Sequence, residues 1–140
     1  MQEWAKVVPE LIVSDVAKSQ AFWVGMIGFE VMYARPEEGF VYLNLAGAHI
    51  MLEQAQPEQW LPAPLQHPFG NGINVQIEVP ATTPILARLD EHDWPLFAPL
   101  EERWYQADTV EHGQRQFLVQ DPDGYLLRLV EVLGNRPYRA

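Results

Sequence analysis

The sequence predicts an α+β chain made of two tandem β-α-β-β-β modules within one domain. One order of apolar runs and helical patterning occurs twice, a Pro-rich stretch separates the two occurrences, and 140 residues suffice for one substantial core but hardly for two independent ones. The expected boundaries are about 4–56 for the first module, about 57–71 for a connector and about 72–133 for the second module, within a single domain spanning 1–140.

The first module begins with Lys6 to Ser14, mostly apolar with one glutamate, which reads as a buried strand. Ser14 and Asp15 then offer N-cap side chains for a helix from Val16 to Met26, whose apolar stripe is Val16, Phe22, Trp23 and Met26. Gly28 suits its terminus. Three strands are expected next, Phe29 to Ala34, Phe40 to Leu45 and His49 to Glu53, with turns at 36–39 and at Ala46-Gly47. The stretch Pro57 to Pro68 admits neither a helix nor a central strand. Beyond it, Ile73 to Val79 is a strand, Thr83 to His92 a helix, Leu96 to Leu100 and Gln116 to Gln120 strands, and Tyr125 to Val132 the last strand. Glu101 to Gly113, holding Trp104, Tyr105 and His112, is expected as a long irregular loop of functional use.

Composition narrows the function. The chain has no cysteine, which removes disulfides, thiolate metal sites and a cysteine nucleophile. Nine basic against nineteen acidic residues give a formal charge of −10, unfavourable for a phosphate backbone, so nucleic acid is not an expected partner. The same charge would attract a cationic ligand, although acidic surfaces also serve solubility alone. No apolar run is long enough for a bilayer and the N-terminus lacks a basic-then-apolar leader pattern, so a soluble cytoplasmic protein without membrane association is expected.

Two motifs carry a resemblance. Asp121-Pro122-Asp123-Gly124 followed by Tyr125 to Leu129 is similar to the DPxG turn and final strand of the vicinal-oxygen-chelate superfamily, which holds glyoxalase I, extradiol dioxygenases, fosfomycin resistance enzymes and bleomycin resistance proteins. Val13-Ser14-Asp15, Ala21-Phe22-Trp23 and Gly28-Phe29-Glu30 resemble its first-half signature. Gly39-Phe40, Ile50 to Glu53 and Glu111 to Gly113 bring the likeness closest to the bleomycin resistance proteins.

The resemblance implies a pair of half-cups, each giving two side chains to a divalent ion in the metalloenzymes. Alignment to the motifs puts Val8, Glu53, Asn74 and Arg128 at those four positions. A valine and an amide are poor donors here, and a guanidinium repels a cation, so no metal and no other cofactor is expected. No hydrolase elbow, phosphate loop or His-Glu-x-x-His pattern supplies other chemistry. An Arg128–Glu53 ion pair is expected across the cup in place of the metal.

The aromatic candidates for stacking a flat ligand are Phe40, Tyr42, Trp60, Trp104 and Tyr105, each with core packing or a surface-lying ring as the alternative. Alternation is expected to turn Tyr42 away from the cup, and Trp23 is expected in the core. His112 stands near a tryptophan position of the bleomycin resistance proteins and reads either as a ligand contact or as a solvated loop residue. His49, His67 and His92 lack ligand-like spacing and read as structural or exposed. The resemblance implies a homodimer that sequesters a bleomycin-like cationic aromatic drug in grooves shared by two chains. A glyoxalase- or dioxygenase-type enzyme with an atypical metal site, and a binding domain for another small molecule, are the open alternatives.

Overall fold

The computed structural model describes residues 3–139. Among these residues, eight strands and two α-helices follow in the predicted order, with a short 3-10 turn at Pro36–Glu38: β1 (Glu10–Val13), α1 (Val16–Gln20) running on as a π-helical turn (Ala21–Ile27), β2 (Glu30–Arg35), β3 (Phe40–Leu45), β4 (Ala48–Gln54), β5 (Asn74–Glu78), α2 (Thr83–Glu91), β6 (Ala98–Ala107), β7 (Val110–Gln120) and β8 (Leu126–Pro137). They build two four-stranded sheets of the same topology, β1-β4-β3-β2 and β5-β8-β7-β6. In each, the first strand runs parallel to the last and all other pairs are antiparallel. Among the described residues, no helix is long and apolar enough to cross a membrane.

Asp15 is the N-cap of α1, accepting from the backbone N–H groups of Ala17 and Lys18. Ser14 does not cap; its hydroxyl and backbone N–H go to the Asp123 carboxylate of the second module. The widening to a π-helix keeps Phe22, Trp23 and Ile27 on the buried side. Gly28 closes it in the left-handed region at φ +106°, with its N–H on Trp23 O. The Arg88 side chain of α2 reaches across to the Met26 and Ile27 carbonyls, satisfying acceptors that the helix end leaves free.

One core serves both sheets. Leu11, Val13, Leu43, Ile50 and Leu52 of the first sheet join Ile77, Phe117, Val119, Leu127 and Leu129 of the second around Phe22, Trp23, Ile85 and Leu89 of the helices. Strand alternation therefore sends the intervening side chains of each sheet to an outer face. The modules are further tied by Trp23 Nε1 donating to Asp121 Oδ2 (3.1 Å) and by the Tyr125 hydroxyl donating to Ile12 O (2.8 Å).

Three elements differ from the sequence reading, the last strand in that it runs on to Pro137 instead of ending at Val132. The first strand is only Glu10–Val13, because residues 3–8 fold across the outer face of the sheet instead of continuing the ladder. The expected loop Glu101 to Gly113 is a hairpin: β6 and β7 pair up to a two-residue turn at Asp108-Thr109, where Asp108 takes φ +60°. Its period-two pattern is hidden because the ribbon extends past the helix, so neither face needs to be apolar.

Candidate functional site

On the first sheet, Glu10, Ile12, Tyr33, Arg35, Phe40, Tyr42, Met51 and Glu53 occupy the outer face, as their neighbours Leu11, Val13, Val41 and Leu52 enter the core. Ile12 and Phe40 both pair with Glu53, and Tyr42 pairs with Met51, so the face has an acidic end and an aromatic end in direct continuity.

The acidic end is a hollow of about 420 Å³ lined by Glu10, Ile12, Arg35, Glu53, Glu58, Gln59 and Trp60. Partial burial first, then the Glu53 carboxylate, push the Glu10 carboxyl above the usual range. The Trp60 ring stands at the mouth, 97% exposed. The Arg35 guanidinium lies 4.0 Å over the Phe40 ring and pairs with Glu38 at 2.5 Å. The face of Phe40 thus already accommodates a planar cation.

The aromatic end is a ladder. Tyr33 stacks on Tyr42 at 5.2 Å and 18°, and Tyr42 meets the His49 ring edge-on at 5.3 Å. Trp4 inserts edge-on against Tyr33, Tyr42 and His49. The expectation that Tyr42 faces away is corrected: two residues from Phe40 along one strand, it shares the Phe40 face. Burial, then the adjacent Tyr33, push its phenol up.

The outer face of the second sheet is an amide and guanidinium surface. Arg128 donates to Gln76, which is opposite it on β5, and its Nε finds no partner among the described residues. Gln116 Nε2 donates to Glu101 and to the Tyr105 hydroxyl, both at 2.9 Å. The Gln116 hydrogen bond and then Arg103 hold the Glu101 carboxyl below its usual value. Asn74 lies exposed at the start of β5. Trp104 and Tyr105 point to opposite faces of the ribbon: Tyr105 toward Gln116, Trp104 over Gly113 with Arg136 3.9 Å above its ring. His112 is an exposed strand residue bonded to Asn135, not a loop residue.

Of the nine sequence candidates, Phe40, Tyr42, Glu53 and Trp60 gather on the first sheet's side, while Asn74, Trp104, Tyr105, His112 and Arg128 belong to the second sheet. The expected Arg128–Glu53 ion pair does not form: Arg128 bonds Gln76, and the two residues are on outer faces of different sheets that share only their inner side. Glu10, Tyr33, Arg35 and Trp4 escaped the sequence reading, while His49, read as structural or exposed, is a buried partner of Tyr42. Alternation from Ile12 could have found Glu10, whereas Trp4 depends on a fold-back that no local pattern encodes.

A smaller, mainly apolar hollow of about 240 Å³ lies beside Trp94, Phe97 and Gln120. It brings together fewer charged groups than the acidic hollow, which is therefore the candidate site.

The divalent site of the metalloenzymes does not fit these residues. Three carboxylates, Glu10, Glu53 and Glu58, line one hollow together with the Arg35 guanidinium, but the second sheet offers Arg128 and amides. Among the described residues, no group of three His, Cys, Asp or Glu side chains converges to hold an ion.

Paired β-α-β-β-β modules with open outer faces define a protein of the vicinal-oxygen-chelate class. No protein-family model and no curated protein sequence matches the chain. Among solved structures, it is 40% identical to a glyoxalase/bleomycin resistance protein/dioxygenase superfamily member from Vibrio splendidus 12B01, over 89% of this chain and 95% of that one, with a TM-score of 0.41. TioX from Micromonospora sp. ML1 shares the fold at 20% identity, covering 93% of this chain and all (100%) of that one, with a TM-score of 0.70. A glyoxalase/bleomycin resistance protein/dioxygenase from Alicyclobacillus acidocaldarius does so at 14% identity, 91% and 90% coverage and a TM-score of 0.59. By its sequence identity, the chain belongs to the glyoxalase/bleomycin resistance protein/dioxygenase superfamily.

Proposed function

We propose that this chain is a metal-free binding protein that sequesters bleomycin or a related cationic, aromatic small molecule in the cytoplasm, making and breaking no bond. The observation that carries this reading is the continuity of the acidic hollow at Glu10 and Glu53 with the ring of Phe40, which already holds the Arg35 guanidinium at 4.0 Å. A cationic group would settle between the carboxylates, and a flat ring would stack along Phe40 or under Trp60. The superfamily name, shared with bleomycin resistance proteins, agrees with that chemistry.

The outer face with Arg128, Gln76 and Tyr105 then meets the acidic face of a second copy, forming a homodimer in which the groove draws on both chains and Asn74, Trp104 and His112 border it. Bleomycin titrated into the protein and followed by calorimetry tests the reading. Saturable binding near one drug per chain, weakened by salt and by Phe40→Ala, is the expected result; absence of heat at micromolar protein rejects it. Glu53→Gln is expected to weaken binding about tenfold by removing one of the three carboxylates of the hollow that attract the cation.

A further inference from the structure

We infer that the seat of Trp4 is a ring-binding subsite for a neutral bicyclic aromatic group, with Trp4 as its displaceable internal occupant. The inference rests on the reading of the first sheet's outer face as the ligand face, and it adds a second pocket to that face.

Tyr42 is 5% exposed and His49 6% exposed, although both are on the side of the sheet that faces away from the core. Trp4 helps to cover them, with its ring centroid 5.2 Å from Tyr42, 5.9 Å from Tyr33 and 6.4 Å from His49, at steep angles to all three. Edge-to-face contact on several sides is how a recess recognises an aromatic ring by the quadrupole of its walls. The seat also carries a polar fixture: His49 Nδ1 accepts the Ala5 N–H at 3.1 Å and lies 2.7 Å from the Tyr42 hydroxyl. An incoming heteroaromatic N–H could take the position of the Ala5 donor.

The occupant is lightly held. Trp4 is 54% exposed, Val7 is 83% exposed, and Glu3 and Lys6 are in solvent. Between the Ala5 bond and the start of the ladder, where Met51 N–H donates to Pro9 O, no other backbone hydrogen bond ties residues 3–8 to the sheet. A side chain lodged in a preformed recess by so few bonds can be displaced by a ring with better contacts.

The test uses the full chain labelled with 5-fluorotryptophan, the Trp4 fluorine resonance being assigned by its loss in Trp4→Phe, and indole as the probe. Indole is expected to move the Trp4 resonance saturably toward its solvent position. By calorimetry, Trp4→Ala is expected to bind indole at least about fivefold more tightly than the wild type, and Trp4→Ala with Tyr42→Ala to lose the gain. A Trp4 resonance that stays in place at saturating indole overturns the inference, as does equal affinity of wild type and Trp4→Ala. The displacement signal is read on wild-type protein, so a variant that fails to fold leaves the test intact. Indole carries no charge and bleomycin titration is a separate measurement. Displacement by indole without bleomycin binding would keep the seat and dismiss the drug, and bleomycin binding without displacement would do the reverse.

Discussion

At the residue scale, Asp121 joins the modules through one buried carboxylate, which accepts from Trp23 Nε1, Asp123 N and Tyr125 N. Burial, the dominant cause, raises its pKa to about 6 against these three stabilising bonds. The native state therefore holds this proton more tightly than the unfolded chain does. The linked stability is full below about pH 4 and is lost as pH rises through about 6, a change of roughly 3 kcal/mol. Urea denaturation of wild type and Asp121→Asn across pH 4 to 7 should show a steeper decline in the wild type; parallel curves would contradict the assignment. Ser19 offers a simpler case, since its hydroxyl is buried and finds no partner among the described residues. Ser19→Ala removes that unsatisfied group and adds a better helix former, so an increase of about 1 kcal/mol in unfolding free energy is expected. Glu10 supplies a third prediction. Because its carboxyl is raised, cation binding in the hollow should weaken on acidification earlier than an ordinary glutamate would cause, and Glu10→Gln should flatten that part of the pH profile of bleomycin affinity.

At the element scale, the long hairpin shows why some parts were legible and others were not. The element order, the Phe40–Leu45 strand and the Gly28 terminus follow from apolar runs and one glycine, signals written within a few residues. The β6–β7 ribbon has no such signal, since it stands clear of the helix and is held by cross-strand partners instead. Gly113 is one of these: a Cβ there would come 2.5 Å from the Trp104 ring, which is clamped from above by Arg136. Gly113→Ala should therefore expel the indole and shift Trp104 emission to the red, with little loss of the core. The site was half legible for a similar reason. Phe40 and Glu53 fall on motif positions, whereas Tyr42 reads as turned away, and Glu10, which alternation from Ile12 could reach, meets Glu53 through the parallel pairing of β1 with β4.

At the scale of the whole molecule, the shared core makes two repeated modules one thermodynamic body. Phe22 and Trp23, both at or below 1% exposure, are packed between elements of both halves, so neither half is expected to survive alone. Equilibrium unfolding followed by far-ultraviolet circular dichroism and by tryptophan fluorescence should give coincident transitions, and residues 3–56 expressed alone should lack a cooperative transition. The two outer faces differ in chemistry, carboxylate and aromatic on one, guanidinium and amide on the other, and this asymmetry underlies the proposed pairing of two copies.

The parallel closure of each sheet also sets a schedule for synthesis. β1 can find β4 as soon as Gln54 has left the ribosome, with α1 laid on the inner face of that sheet, but the π-helical turn is covered only when α2 has been made. At about 5–20 residues per second, Phe22 and Trp23 wait roughly 2–7 s before Ile85 and Leu89 of α2 join their cluster. For that interval the nascent chain presents a sheet and helix whose far apolar side is uncovered, the kind of surface that chaperones hold. The yield of this protein in a cell should accordingly depend more on the holding capacity available during translation than its stability once folded would suggest.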